Sequence, residues 1–515
     1  MAAVRRQLRR TLGNPPLSSL RPSACPALSR IVAARDGGLC RIKLPGGKLL
    51  ARQALAIADA ADLHASGVVE FTNRANVQVR GVKAGSEALL TQQLSAAALG
   101  PRVDATQSID PMLAARQALI ADDARNLLLS PVAGLDVDAL YDTAPLAERM
   151  LALLQSEPRL AELSPKFSVL LDGGERLAAL DHPHDVWFAA MPPAVAGRLT
   201  AAPRFAVGLA GQPSEDRSVA LAAVRADDIV VLMRALLHTF LDLAAPEDTR
   251  MRDVLRSHDR LAVLKLAAAK ADVALLSGPD IEAWRRTAAD PSRRFGAYEQ
   301  RQAGWWHVGG QPPLGRIDTA TLRGLARLAS EYGDGTLRST PWQSVLMPNI
   351  GEQAVAHVAD SLRSLGLLLD ARDPLARVIA CAGSTGCEKA SADTKADALA
   401  LAKRLPAESQ VRQVHLSGCP RSCAAAHCAP YTLLAVAPAR YDLYRRTQAM
   451  EAERALAARD DAASSGEPFG EPFGEPFGKP FGKPFGERFG ERIGLSLTIE
   501  EAAGRLRDAA GATIS

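Results

Sequence analysis

The sequence predicts an internally duplicated α+β fold whose two halves face each other across a central cleft. Two observations predict the duplication. A strand, turn, helix, strand order occupies residues 38–82 and recurs over 305–350. The stretches after each copy also correspond, with 124–134 and 165–174 in the first half matching 376–381 and 413–419 in the second. A third observation, four clustered cysteines confined to the second half, puts different chemistry on the two sides of the cleft.

The first copy opens with an extended Gly38-Leu39-Cys40-Arg41-Ile42-Lys43, turns at Pro45-Gly46-Gly47, continues as a helix over 49–66 and returns in Gly67-Val68-Val69-Glu70-Phe71. The second turns at Gln311-Pro312-Pro313-Leu314-Gly315, with a helix over 318–332 and a strand after Gly335. A right-handed crossover makes the two strands of each copy parallel and is expected to set both copies in one sheet. Helices near 139–157 and 394–405 follow the respective copies. The most apolar stretch, 228–244, has helical spacing at Ile229, Leu232, Met233, Leu236, Leu237 and Phe240 and is interrupted by Arg234 and His238. It predicts a core helix and no membrane span.

From Gly466 to Gly490 a Gly-Glu/Lys-Pro-Phe tetrapeptide repeats, ending in Gly-Glu-Arg-Phe. Proline and glycine at that spacing stop both helix and sheet, so a disordered surface insert is expected over 462–492. The fold is expected to resume at Leu495, with Thr498 and Glu501 as the capping box of a last helix.

Composition limits the function. With 515 residues and 47% hydrophobic content, several buried cores are affordable. The 61 basic and 57 acidic residues are well mixed, so no face for nucleic acid is implied. Arg5, Arg6, Arg9 and Arg10 give a basic N-terminal tail without the apolar run of a secretory signal, and a cytoplasmic protein with reduced thiols is expected.

Cys381 and Cys387 lie in Cys-Ala-Gly-Ser-Thr-Gly-Cys, and Cys419 and Cys423 in Cys-Pro-Arg-Ser-Cys, with intervening gaps of five, 31 and three residues. Four thiolates from two loops suit a cubane 4Fe-4S cluster. Structural zinc sites usually pair cysteines about two to four residues apart, and the first gap is longer. Gly383, Gly386 and Gly418 let the backbone approach the sulfurs and aim amides at them. Buried structural cysteines are the plainer alternative.

This cysteine pattern resembles the nitrite and sulfite reductase family. Within it, Arg21-Pro22-Ser23-Ala24-Cys25-Pro26, the stretch from Asp36 to Gly47 and Val414-His415-Leu416-Ser417-Gly418-Cys419 are most similar to the oxygen-dependent branch that acts in cobalamin biosynthesis. The resemblance implies ferredoxin-like half-domains alternating with α/β cluster-type domains around the cleft. The expected organisation is a tail over 1–20, half-domains over 21–100 and 296–368, a first α/β domain over 101–245, a helical connector over 246–295 and the cluster domain over 369–515. It also implies that Cys423 bridges the cluster to any sirohaem iron.

Arg74, Arg125 and Lys166 match the family's anion-binding positions, where guanidinium groups would hold the carboxylates of a tetrapyrrole substrate. Sulfite reductases carry a second lysine two residues after the first, and on a strand it would face the same cleft; here that position is Ser168. The missing cation disfavours a small anionic substrate and favours an oxygen-dependent monooxygenase. That reaction needs a second iron centre, with His182, His184, His307, His415 and His427 as candidate ligands. No Gly-rich dinucleotide motif follows a strand, so reduced nicotinamide would act through a separate electron-donor reductase. The alternatives are a sirohaem-dependent sulfite or nitrite reductase and a non-catalytic iron-sulfur electron carrier. Cys25, Cys40 and Cys428 have no assigned role.

Overall fold

The computed structural model describes residues 25–100, 122–123, 126–193, 203–213, 219–408, 411, 413–425, 429–446 and 489–511. The basic tail, Arg125, His427, Cys428 and all but the end of the tetrapeptide repeat lie outside them.

The two copies form two five-stranded antiparallel sheets. The first runs in the order Val32–Ala34, Gly37–Ile42, Val77–Val82, Val68–Phe71, Arg316–Asp318. The second runs Gly296–Glu299, Trp305–Gly310, Val345–Gly351, Thr336–Ser339, Lys48–Leu50. Each sheet therefore takes its fifth strand from the other copy, in place of the single shared sheet expected from the sequence. The strands flanking each crossover helix are parallel to one another, as expected, but an antiparallel neighbour separates them.

The turns enforce the exchange. Gly46 and Gly47 adopt φ of 62° and 72°, and a Cβ on Gly47 would lie 2.1 Å from the Ser339 carbonyl oxygen. A side chain there would push the short strand off its partner sheet. In the second copy Leu314 and Gly315 repeat the left-handed pair with φ of 53° and 70°, and a Cβ on Gly315 would meet the Phe71 carbonyl oxygen at 3.2 Å. Helices Ala51–His64 and Thr319–Tyr332 then pack on each other, and their alanine-rich faces permit a close approach inside one common core. Asp318 caps the second by accepting from the Thr321 amide at 2.7 Å.

The two α/β sheets share one topology. Leu127–Leu129, Val169–Asp172 and His184–Ala190 are parallel, followed by antiparallel Arg204–Gly211 and Ala222–Arg225. Val378–Ala380, Val414–Ser417 and Tyr431–Ala437 repeat this, followed by Arg440–Arg445 and Glu491–Leu497. Leu129 faces Leu171 as Ala380 faces Leu416, so the duplication extends to register. Helix Ile229–Leu243 buries the expected Ile229, Leu232, Met233, Leu236, Leu237 and Phe240.

Three local expectations change. The helix near 139–157 is Ala144–Ser156, because the Leu140 and Tyr141 amides are held by the Gly173 carbonyl at 2.8 and 3.0 Å. The stretch after residue 246 is more than a connector, since helix Arg260–Ala271 buries Val263 and Leu264 in the same core as Ile229–Leu243. The described residues begin again at Phe489, inside the expected insert and before Leu495. Phe489, the last phenylalanine of the repeat, is buried against Tyr444 and Leu434, and strand Glu491–Leu497 closes the sheet. The final capping box forms as expected, with Thr498 N donating to Glu501 Oε2 at 2.8 Å and Glu501 N to Thr498 Oγ1 at 3.2 Å.

Candidate functional site

Cys381 directly follows strand Val378–Ala380, and Cys419 lies two residues beyond the neighbouring parallel strand Val414–Ser417. Both loops therefore leave the carboxyl ends of adjacent parallel strands, where open α/β sheets place their ligands. The chain after Cys381 closes one short helical turn, Gly383–Gly386, with the Cys387 amide donating to the Gly383 carbonyl at 2.9 Å. The Ser391 amide donates to the Gly418 carbonyl at 2.8 Å and ties the two loops together.

Gly418 acts as the sequence suggests for the loop glycines. Gly418 N–H donates to Cys381 Sγ at 3.2 Å, and a Cβ on Gly418 would lie 2.5 Å from Ala390 Cβ. Thr394 Oγ1 lies 3.4 Å from the same sulfur. Burial raises the Cys419 and Cys423 thiols, and the Cys381 and Cys387 sulfurs push both further in the same direction. The four sulfurs thus sit within each other's fields, an arrangement that a cluster with bridging irons would convert from mutual repulsion into ligation. Among the described residues no three His, Cys, Asp or Glu side chains converge on a single metal ion. The donor set fits a cluster, whose ligands stand around a body and not around a point. Cys381, Cys387 and Cys419 are half-buried and Cys423 is exposed.

The exposed Cys423 faces the other half. Asn73 Nδ2 donates to the Cys423 carbonyl at 3.3 Å, and Asn73 and Arg74 occupy the tight turn between Val68–Phe71 and Val77–Val82. Thr72 Oγ1 fixes this turn by accepting from the Arg74 and Asn76 amides at 3.4 and 3.1 Å. Arg74 opens onto a cleft lined also by Asn76, Asn126, Ser168, His182 and His184. Burial pushes its guanidinium down to about 10, with Arg250 and Arg41 acting in the same sense against Cys25 and Asp185. Among the described residues that guanidinium has no hydrogen-bond or ion-pair partner, and a half-buried cation of this kind is suited to an anionic ligand.

The other predicted cations fare differently. Lys166 is exposed in the turn before Val169–Asp172 and does not line the cleft, so the strand alternation inferred for residues 166 and 168 does not apply. Ser168 does line it, pinned where its amide donates to Asp185 Oδ2 at 2.9 Å. Arg125 lies outside the described residues, next to Asn126 of the cleft wall.

Sequence reasoning missed Arg250, which pairs with buried Asp185 at 3.0 Å, and Arg41, whose guanidinium feels both Cys25 and Cys423. Arg41 lies in a stretch already singled out, whereas nothing local marks Arg250. His184 is buried and held neutral, first by burial and then by His182, Arg250 and Arg74. His307 is stacked on Tyr298 within its own sheet, and His415 is buried in strand Val414–Ser417. Cys40 is a core residue beneath Ala27 and Leu28, its thiol pushed up to about 12 by burial and Asp122.

The first copy fills the equivalent of the cluster position with charge. By register Ser130 matches Cys381, and Gly173 matches Gly418. Arg286 Nε donates to Asp172 Oδ2 at 2.7 Å and its Nη2 to the Glu175 carbonyl at 2.5 Å, while Glu175 Oε2 accepts from Gly173 N at 2.9 Å. Burial and then Asp172 raise the Glu175 carboxyl to about 8. A carboxyl whose folded pKa exceeds its unfolded value of about 4.3 stabilises the fold at low pH and loses that contribution as pH rises through about 8. Glu175→Gln is expected to flatten the fall in urea midpoint between pH 5 and 9 and to leave the variant more stable than the parent by about 1 kcal/mol or more at pH 9.

Comparisons with known proteins agree with this arrangement. The ferredoxin-like half-domain of nitrite and sulfite reductases matches residues 33–97 and 298–365, and the 4Fe-4S domain of the same enzymes matches 120–261. That last segment contains no cysteine, so the four thiols belong to its structural repeat in the second half. The chain is 29% identical over 404 residues to the chloroplastic ferredoxin–nitrite reductase of Zea mays, covering 75% of this chain and 67% of that one. It is 29% identical over 405 residues to the ferredoxin–nitrite reductase of Synechococcus elongatus, covering 75% and 73%. It is 27% identical over 428 residues to the precorrin-3B synthase of a Sinorhizobium species, covering 83% of each. The chain spans about two thirds of the length of the plant reductases it matches. The Mycobacterium tuberculosis NirA protein has the same fold, with a TM-score of 0.63 and 19% identity over 79% of this chain and 74% of that one. With both of its domain types matched over more than half of its length, and each laid out twice around one cleft, the chain belongs to the nitrite and sulfite reductase family.

Proposed function

We propose that the chain is a precorrin-3B synthase, an oxygen-dependent monooxygenase that converts precorrin-3A to precorrin-3B. The observation that carries this reading is the cleft itself. The Arg74 guanidinium, unpaired among the described residues, opens onto it beside the turn that touches exposed Cys423, and Ser168 occupies the position where a second lysine would concentrate charge on a small anion. One guanidinium in a cleft without a second lysine suits a carboxylate of a larger ligand better than a small, doubly charged anion. The even 83% coverage of this chain and the Sinorhizobium enzyme supports the same assignment.

In the overall reaction one atom of dioxygen enters the tetrapyrrole and the other leaves as water, which requires two electrons and two protons. A 4Fe-4S cluster held by Cys381, Cys387, Cys419 and Cys423 would supply single electrons when bound, and a second iron centre would supply the site of oxygen activation. Arg74 would bind and orient substrate carboxylates, with Arg125 beside the cleft wall in the same role, whereas Lys166, outside the cleft, would not. His184, neutral and buried in the cleft wall, can donate one hydrogen bond and accept another without adding charge. An electron-donor protein fed by reduced nicotinamide would complete the system in the cytoplasm.

The absorption spectrum and metal inventory of anaerobically purified protein test this reading. The expected result is a broad iron-sulfur shoulder with four cluster irons and one further iron per chain and no sirohaem. Strong sirohaem bands in tight stoichiometry would overturn it in favour of a nitrite or sulfite reductase.

A further inference from the structure

Beneath the cysteine loops lies a buried charge cluster. Glu70, in strand Val68–Phe71, is 6% exposed. Its Oε1 accepts from Arg316 Nη2 at 2.7 Å and lies 3.6 Å from Lys395 Nζ, while its Oε2 lies 3.6 Å from Arg80 Nη1. Gln78 Nε2 also donates to Oε2 at 2.6 Å. Arg80, 3% exposed, forms a bidentate pair with Asp36 at 2.8 Å for both bonds.

Two of these cations act on the first proposed ligand loop, Arg80 by a direct hydrogen bond and Lys395 through its charge near Cys381. Arg80 Nη2 donates to the Gly386 carbonyl at 2.9 Å, immediately before Cys387, and a Cβ on Gly386 would lie 2.5 Å from that nitrogen. Lys395 donates to the Leu314 carbonyl at 3.0 Å and directly follows Thr394, whose hydroxyl donates to the Cys381 carbonyl at 3.0 Å. Three cations against Glu70 and Asp36 leave one positive charge in excess, with Arg80 touching the first cysteine loop at Gly386 and Lys395 within the field of Cys381.

We propose that Lys395 and Arg80 are positioning and tuning residues that set the reduction potential of the iron-sulfur cluster. The inference rests on the reading that the four cysteines hold such a cluster. One-electron reduction adds a negative charge to the cluster, and a fixed cation in a low-dielectric surrounding stabilises the reduced form more than the oxidised one. Glu70 opposes that effect and is what keeps the cations buried together. The fields agree: burial alone would raise the Glu70 carboxyl, yet Lys395, Arg80 and Arg316 hold it down to about 2.

The test uses full-length protein purified without oxygen, carrying Lys395→Met, Lys395→Arg or Glu70→Gln. Iron and sulfide content is measured first, then the cluster midpoint potential by redox titration followed by electron paramagnetic resonance. Lys395→Met is expected to keep the cluster and lower its midpoint by about 59 mV or more, a tenfold shift for a one-electron couple. Glu70→Gln is expected to raise the midpoint, and Lys395→Arg to leave it near the parental value. A purely structural role would move Lys395→Met and Glu70→Gln in the same direction or not at all, and either result overturns the proposal. Should Lys395→Met lose its cluster, the sign of the Glu70→Gln shift decides. Parental protein without iron and sulfide would refute the cluster reading itself, a failure separate from that of the tuning.

Discussion

Cys387→Ser is expected to yield a folded protein with little or no iron and sulfide and no oxygenase activity. The loss should exceed the roughly 10–100-fold that changes beyond the ligands themselves cost. Cys387 closes the turn Gly383–Gly386, and its sulfur lies within the fields of Cys419 and Cys423. A serine hydroxyl preserves the turn but is a hard, poorly ionised donor that soft iron-sulfur chemistry disfavours. Cys40→Ser is the control. Its sulfur lies near the Ala27 and Leu28 carbonyls in the first half-domain core, so iron and sulfide content should not change. Equal cluster content in the two variants would remove Cys387 from the ligand set.

Arg74→Ala should raise KM for a polycarboxylate tetrapyrrole by roughly 30-fold, about 2 kcal/mol for a charge-assisted bond to a carboxylate. Arg74→Lys should recover part of that loss, since it keeps the charge without the bidentate fork. The pH dependence follows from the lowered guanidinium. With its pKa pushed down to about 10, Arg74 stays charged through neutral pH, and its contribution to binding is lost as pH rises through about 10. Steady-state kinetics of parent and variants between pH 7 and 10 check both points. An Arg74→Ala enzyme with unchanged KM would place the substrate elsewhere.

Much of this arrangement was legible in the residues. The 3.6-residue spacing of Ile229 to Phe240 marked a core helix because burial on one face leaves a periodic trace. The four cysteines stand out in the sequence because the thiolate ligation proposed for them needs a particular residue type at fixed points. The repeated turn at Gly47 and Gly315 marked the duplication, since each glycine sits where a neighbouring carbonyl leaves little room for a side chain.

What stayed hidden depends on contacts distant in the chain. Strand exchange is decided by which edge Lys48–Leu50 and Arg316–Asp318 can reach, and a three-residue strand carries no signal naming its partner. Strand alternation at residues 166 and 168 does not hold because the Phe167 amide closes a turn on the Ser164 carbonyl at 2.8 Å, a contact that the local sequence does not announce. Phe489 shares a repeat with five other phenylalanines and differs from them in sequence only by following an arginine in place of proline, which does not mark it as a core residue. The Glu70 cluster joins residues from 36 to 395, so no local window contains it.

Incubation of purified protein with precorrin-3A, a reduced electron donor and isotopically heavy dioxygen tests the central claim most directly. The account predicts a precorrin-3B product carrying one heavy oxygen atom, identified by its mass. Unlabelled or unchanged tetrapyrrole, together with reduction of nitrite or sulfite by the same preparation, would contradict it.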